Sequence, residues 1–396
     1  MKIPISKSEF TQEDMDSILE PLRDGWVVQG PKVLEFESLW SEFTNAKHSI
    51  ATTSCTTSLF LSLAALDLKP NDEVIVPALS WIATANVVEN IGCKTIFCDV
   101  DLDTLNLNLK ELESKINTNT KAIIPVHLFG NPLDIKRIIS MTQDKNIHII
   151  EDAACGFGSY IDETHIGTSG IFGCFSFHPR KAISTGEGGM ITTNSEEHAL
   201  KLRSLRDHGM DYKKKNDSQT KKPYNMLDHS HAGYNFRMTD IQASLGSSQM
   251  KRADQILFDR QTIAERYNDA FAEYKDLISL PISESNHKHS YQSYACIYKP
   301  NEVVDALNIG NFSKLKSLSD ERNIFMEALS IEGIGTRPVT HSIHTLSFYR
   351  EKYNLKPEDF PKAYAANICG FSLPIFPGLT NEEQNIVIKA VLKYLK

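Results

Sequence analysis

Residues 174–193 read CFSFHPRKAISTGEGGMITT, setting Lys181 between two apolar segments with Gly186, Glu187, Gly188 and Gly189 close behind. A lysine so placed is either a solvated turn residue or an amine kept beside a buried reaction centre. Asp152 belongs to the run IHIIEDA, which has the length and composition of a buried strand. Ligands of parallel sheets sit beyond the carboxyl ends of the strands. A carboxylate there must cap a helix or meet a buried cation, because an unpaired buried charge is costly. Taken alone, capping is the commoner role, and Glu151, on the strand's other face, is open to both. In ATTSCTTSLFLSLAAL, Ser54, Thr56 and Thr57 precede an apolar helix whose N-terminus would attract an anion. Plain hydroxyl capping is again the commoner use. Trp81, in PALSWIATAN, falls at another strand end, where a flat ring stacks well on a planar ligand; a lone tryptophan is more often core.

Each feature is weak alone, and together they describe one ligand. It is planar and aromatic, carries a phosphate, has a basic ring nitrogen that needs a carboxylate, and reacts with a lysine amine. Pyridoxal 5′-phosphate (PLP) has all of these properties, so Lys181 is expected to carry it. The GEGG run is no nucleotide signature, since the chain has neither G-x-x-x-x-G-K-[ST] nor G-x-G-x-x-G.

The elements that must hold these residues show in the spacing of apolar side chains. DEVIVPA (72–78), KTIFCDV (94–100), KAIIPVHL (121–128) and IHIIEDA (147–153) read as buried strands. Between them SWIATANVVENIG, NLKELESKI and NPLDIKRIISMTQDKN have helical spacing. This alternation predicts an α/β fold, a large and mostly parallel sheet with helices on both faces. Upstream, Pro31 starts a helix with Val33, Phe36, Trp40 and Phe43 on one face. Beyond residue 195, SEEHALKLRSLRDHG predicts a helix capped by Ser195 and ending near Gly209. KKKNDSQTKK (213–222) reads as a solvated basic loop, and a long helical stretch runs from Met238 to Phe271. A boundary is expected near residue 250, giving a large cofactor-binding domain over 1–250 and a smaller C-terminal α/β domain over 251–396.

Composition narrows the class. A net charge of −8 argues against a nucleic-acid or anionic-membrane surface. The start MKIPISKSEF has no apolar core, and no stretch approaches membrane-spanning length, so neither a signal peptide nor a membrane span is expected. Seven cysteines without a C-x-x-C pair read as reduced thiols of a cytoplasmic protein. His229 and His231, like His341 and His344, read as loop or pocket residues, and no metal is expected.

In these stretches the chain resembles the DegT-type family of PLP-dependent aminotransferases, which aminate keto groups on nucleotide-linked sugars. The similarity runs nearly end to end, through GWVVQGPKVLEFE, CDVDLDTLNLN, IIEDAACGFGSY, FSFHPRKAISTGEGGMITT, GYNFRMTDIQASLGSSQ and SLPIFPGLT. It implies a fold-type-I aminotransferase acting as a homodimer with sites at the subunit interface. It further implies that Lys181 binds the cofactor covalently, Asp152 pairs with the ring nitrogen and Trp81 stacks on the ring. Cys55, Thr56 and Ser176 would hold the phosphate, and Asn235 would reach the partner subunit's cofactor. Glutamate would be the donor and a nucleotide-linked keto sugar, aminated at carbon 4 of a 4-keto-6-deoxy ring, the acceptor, for cell-surface polysaccharide or glycoconjugate synthesis. His178, Arg180, His341 and His344 are candidates for the sugar pocket. Two departures stand out: Cys55 replaces the glycine of a Ser-Gly-Thr motif, and Cys155 stands where many members have Gln or His, leaving that contact unassigned. A sugar dehydratase on this scaffold would carry histidine in place of Lys181. A non-catalytic regulator would have no use for an intact Lys181, Asp152 and Trp81, and a hydride-transferring enzyme would need the dinucleotide fingerprint that this chain lacks.

Overall fold

The computed structural model describes residues 2–212, 224 and 226–395. The basic run 213–222 lies outside the described residues. β-Branched and aliphatic side chains build seven short strands, β1 (His48–Thr52), β2 (Glu73–Pro77), β3 (Lys94–Cys98), β4 (Thr120–Ile123), β5 (His148–Asp152), β6 (Phe172–Ser176) and β7 (Gly189–Thr193). They form one sheet of order β1-β7-β6-β5-β4-β2-β3. All pairings from β6 to β3 are parallel, and β7 alone runs against its neighbours β6 and β1.

Side chains alternate across each strand, so the sheet has two apolar layers. Val74 and Val76 join Leu59, Val87 and Ile150 on one face; Ile75 joins Phe36, Trp40 and Ile138 on the other. Helices therefore cover both faces, as the alternating pattern predicts. They include α1 (Gln12–Asp24), α2 (Pro31–Thr44), α3 (Cys55–Ala64), α4 (Ala83–Asn90), α5 (Glu196–Arg206), α6 (Asp240–Met250) and α7 (Ala253–Phe271). Pro31 occupies the first turn of α2. The missing side-chain cap at Gly30 is replaced from a distance: the Asp240 carboxylate accepts the N–H groups of Gly30, Lys32 and Val33 at 2.7–3.1 Å.

Two expectations need revision. The stretch Met238–Phe271 is two helices, interrupted at Lys251 and Arg252, where the Arg252 guanidinium leaves to bond Asp14 at 2.7 Å and the Glu9 carbonyl at 2.8 Å. Ser195 caps α5 as expected, but the helix ends at Arg206, ahead of Gly209. There the guanidinium is buried against Glu37 at 2.6 Å and the Ala51 carbonyl at 2.7 Å. The C-terminal third pairs Tyr294–Ile297 with Gly370–Leu373 over a separate apolar cluster containing Tyr267, Phe325 and Val387. It also returns to the sheet layer, where His341–Ser342 pairs with Leu79–Ser80.

Candidate active site

The question of Lys181 is answered by the connection between β6 and β7. The two strands are antiparallel neighbours, and the loop between them closes where Phe177 N–H bonds the Gly188 carbonyl at 2.9 Å. Lys181 sits in that loop, half buried, its N–H on the His178 carbonyl at 2.8 Å and its Nζ donating to Cys155 Sγ at 3.0 Å. The glycines behind it have separate causes. Gly186 has φ +80°, the left-handed region glycine favours. Gly189 is packed so closely on the start of α3 that a Cβ would lie 2.4 Å from the Ser54 carbonyl carbon. Glycine at this crossing brings the lysine loop against the helix N-terminus.

Asp152 ends β5 and is only 4 % exposed. Its Oδ2 accepts the Thr84 hydroxyl at 2.8 Å, and Oδ1 accepts Ala154 N–H at 3.2 Å. Burial raises its pKa; Thr84, Ala154 and the positive charge of Lys181 offset part of that rise. This carboxylate is desolvated without a full counter-charge. Glu151, on the opposite face, is compensated. It bonds His127 Nε2 at 2.9 Å and accepts the N–H groups of Gly167, Ser169 and Gly170. Burial opposes its charge, but His127 and these backbone donors outweigh it and hold its pKa below the usual range. Glu151 therefore ties the sheet to the 167–170 loop, and Asp152 is left to face Lys181.

The three hydroxyl residues before the apolar helix separate by role. Ser54 and Thr57 cap each other in a reciprocal box. Thr56 is exposed, and an α-helix leaves its first N–H groups without intrahelical partners. Cys55 is buried in the first turn of α3, where burial and the nearby Asp152 charge push its pKa well up and keep it a neutral thiol. Ser176 is half buried, its Oγ accepting His178 N–H at 3.4 Å. Trp81 is 56 % exposed, with its ring 5.6 Å from that of His341. His178 is half buried, and Arg180 and Asn235 are exposed. His344 is a correction: it is fully buried, its ring packed 5.0 Å from that of Phe360, and it offers a substrate no accessible surface. Sequence reasoning also missed Thr84 and His127, which touch Asp152 and Glu151 from far along the chain. Among the described residues there is no cluster of His, Cys, Asp and Glu that could hold a metal, and no helix long and apolar enough to cross a membrane.

Comparison with known proteins accounts for this constellation. The model of the DegT/DnrJ/EryC1/StrS aminotransferase family matches residues 8–392. The chain belongs to this family. Its relatives include the spore coat polysaccharide biosynthesis protein SpsC of Bacillus subtilis, 34 % identical over 100 % of this chain and 97 % of that one. The GDP-perosamine synthase of Caulobacter vibrioides is 33 % identical over 98 % and 97 % of the two chains. Among solved structures, Spr1654 of Streptococcus pneumoniae, described as a sugar aminotransferase, superposes in its PMP-form with a TM-score of 0.89, 28 % identity and 99 % coverage of both chains; a PLP-form is also known. The fold is that of the fold-type-I PLP enzymes, the chain is a sugar aminotransferase, and its cofactor is PLP. The residues of the site fit that group. An amine stands beside a buried carboxylate that lacks a full counter-charge, and the exposed first turn of α3 suits a phosphate.

Proposed function

We propose that this aminotransferase moves an amino group from glutamate to the ketone of a nucleotide-linked 4-keto-6-deoxy sugar, as a cytoplasmic homodimer serving cell-surface polysaccharide or glycoconjugate synthesis. The observation that carries the reading is the Lys181 amine in the charge field of the desolvated Asp152. Lys181 binds PLP through its amine and, once released, carries a proton to and from the substrate carbon. Asp152 keeps a proton on the ring nitrogen, Thr84 and Ala154 hold its carboxylate in place, and Trp81 covers the ring. Cys55, Thr56 and Ser176 hold the phosphate, and Asn235 of the partner subunit completes that contact. His178, Arg180 and His341 border the sugar. Bound PLP supplies an electron sink for the carbon that loses its proton.

Two measurements test this reading. Borohydride reduction of the yellow holoenzyme is expected to fix a pyridoxyl group on the peptide containing Lys181; a label on another lysine overturns the assignment. Glutamate alone should convert the cofactor to its amine form with one equivalent of 2-oxoglutarate. A panel of UDP-, GDP- and dTDP-linked keto sugars should then yield an amino sugar with ping-pong kinetics. A product that has lost a hydroxyl and gained no nitrogen replaces the transaminase by a dehydratase.

The homodimer is supported by an apolar surface on the first two helices and the segment that joins them. Leu22, Trp26, Val28 and Leu34 are each at least 51 % exposed, and Met15 and Leu19 flank them. Trp26→Asp is expected to shift the protein to monomer in sedimentation and to abolish most activity. Mixing Lys181→Ala with Asn235→Ala should give activity well above either parent, because a mixed dimer regains one intact site. Full activity in a monomeric preparation contradicts both expectations.

A further inference from the structure

Next to Lys181, the structure gathers positive charge that no carboxylate answers. Arg337 is partly buried, and one Nη donates to Ser293 Oγ at 3.1 Å. Among the described residues, neither Arg337 nor Arg180 has a carboxylate within ion-pair reach, although surface arginines and lysines elsewhere on the chain pair freely. The two lie close enough that burial and then the charge of Arg180 lower the pKa of Arg337. Behind them Arg260 is buried, spending its Nη1 on the carbonyls of Tyr291 and Gln292, with Nε unpartnered. Arg337 is partly buried and Arg180 exposed beside it, so an anion placed between the two would relieve the repulsion that solvent only partly screens.

An independent observation points to the same place. Ser372 is 1 % exposed, and its hydroxyl has no hydrogen-bond partner. Its N–H bonds the Arg337 carbonyl at 2.8 Å, so the two residues are locked side by side. Arg180, Gln292, Ser293, Arg337 and Ser372 line one narrow cleft. Gln292 also lines the adjoining cavity that contains Cys155 and Lys181, and its amide donates to the Arg180 carbonyl at 3.0 Å. An oxyanion in the cleft would leave the rest of a short molecule at the lysine amine.

We propose that Arg337, Arg180 and the Ser372 hydroxyl form the subsite for a carboxylate of the amino donor. Two anions of this reaction could use such chemistry, a donor carboxylate and the diphosphate of the sugar nucleotide. Size favours the first. The open room in the cleft is little more than that of a water-sized group, which the end of a carboxylate can enter and a diphosphate flanked by sugar and nucleoside cannot. A guanidinium also matches the planar, two-oxygen face of a carboxylate.

The inference rests on the transaminase reading, and its test separates the two. In the holoenzyme, Arg337→Gln should raise the glutamate concentration needed for the first half-reaction by on the order of 10- to 100-fold, the range expected on losing a charged hydrogen bond. It should leave the affinity of the amine form for the keto-sugar nucleotide unchanged. Ser372→Ala, which removes one hydroxyl and keeps the strand, should raise it several-fold and guards against a folding defect in the arginine variant. Succinate binding, measured by calorimetry without turnover, should weaken in parallel. A loss confined to the sugar nucleotide, a loss equal for both substrates, or no loss in either variant overturns the subsite. If glutamate proves not to be a donor, succinate binding that depends on Arg337 still supports a carboxylate site, and its absence overturns it.

Discussion

Asp152→Asn is expected to lower turnover by on the order of 10²–10³, the scale on which removal of one preorganised electrostatic partner slows an enzyme, while making the cofactor-free protein more stable at neutral pH. The stability half follows from the sign of the shift. Burial raises the Asp152 pKa, so the folded state favours the neutral acid. Such a group is harmless below the unfolded value of 3.8 and destabilises progressively as pH climbs through and above it. Asparagine removes that penalty and preserves the contacts. Its oxygen can accept Ala154 N–H, and its amide can donate to Thr84, whose hydroxyl can turn toward Ser80 at 3.0 Å. The activity half follows because asparagine cannot hold a proton on a ring nitrogen by charge. Thermal unfolding of the cofactor-free proteins and single-turnover kinetics of the loaded ones check the two halves. A variant with near-wild-type turnover would make Asp152 a structural cap only.

The second large effect is acid lability. Burial lowers His165 to about 4, His289 to about 3 and His344 to about 4, from 6.5. Geometry gives each a reason to stay neutral. His165 Nε2 accepts Gly158 N–H at 3.0 Å while Nδ1 donates to the Ile166 carbonyl at 2.6 Å, so a second ring proton would face another N–H. His289 Nδ1 accepts Tyr291 N–H at 2.8 Å, and His344 is packed on Phe360. A histidine with a depressed pKa contributes no penalty above 6.5 and destabilises as pH falls toward its folded value. Each unit below 6.5 costs about 1.4 kcal/mol per histidine, so at pH 5 the three together remove about 6 kcal/mol. That is comparable with the whole stability of a typical domain. Asp99 and Asp152, raised by burial, act in the opposite sense, each regaining stability as pH falls through its own folded value. Urea midpoints should be level above pH 7 and drop steeply between 6.5 and 5, with a shallower drop in His344→Phe. A stability profile flat to pH 5 would rule this out.

Much of this was legible in the sequence because buried parallel strands announce themselves as continuous apolar runs. Once β5 is placed, Asp152 falls at its carboxyl end with no further information, whereas Lys181 stands five residues beyond β6, in a loop whose place beside Asp152 periodicity does not give. The partners of those residues were not legible. Thr84 reaches Asp152 across 68 positions, and Arg337 reaches Ser293 across 44, distances over which periodicity carries no signal. Hydroxyls before an apolar helix advertise an anion site and a cap with the same letters; Ser54 and Thr57 are cap, and Thr56 is exposed. His341 and His344, three residues apart, look like a pair on one side of a turn. A strand ends at Ser342 and a 3-10 turn begins at Ile343, so one ring stays outside and the other enters the core.

The crossing of Gly189 over Ser54 and Cys55 has a consequence for how this enzyme can change. The Lys181 loop and the N-terminus of α3 are joined through β6, β7 and β1, three hydrogen-bonded neighbours with no slack between them. Neither end can shift without the other. The wall formed by Trp81 and His341 hangs instead on a ladder two residues long. New sugar preferences should therefore arise by substitution at that wall, and a library that varies His341 should keep its cofactor, whereas one that varies Gly189 should lose it before any substrate is tried.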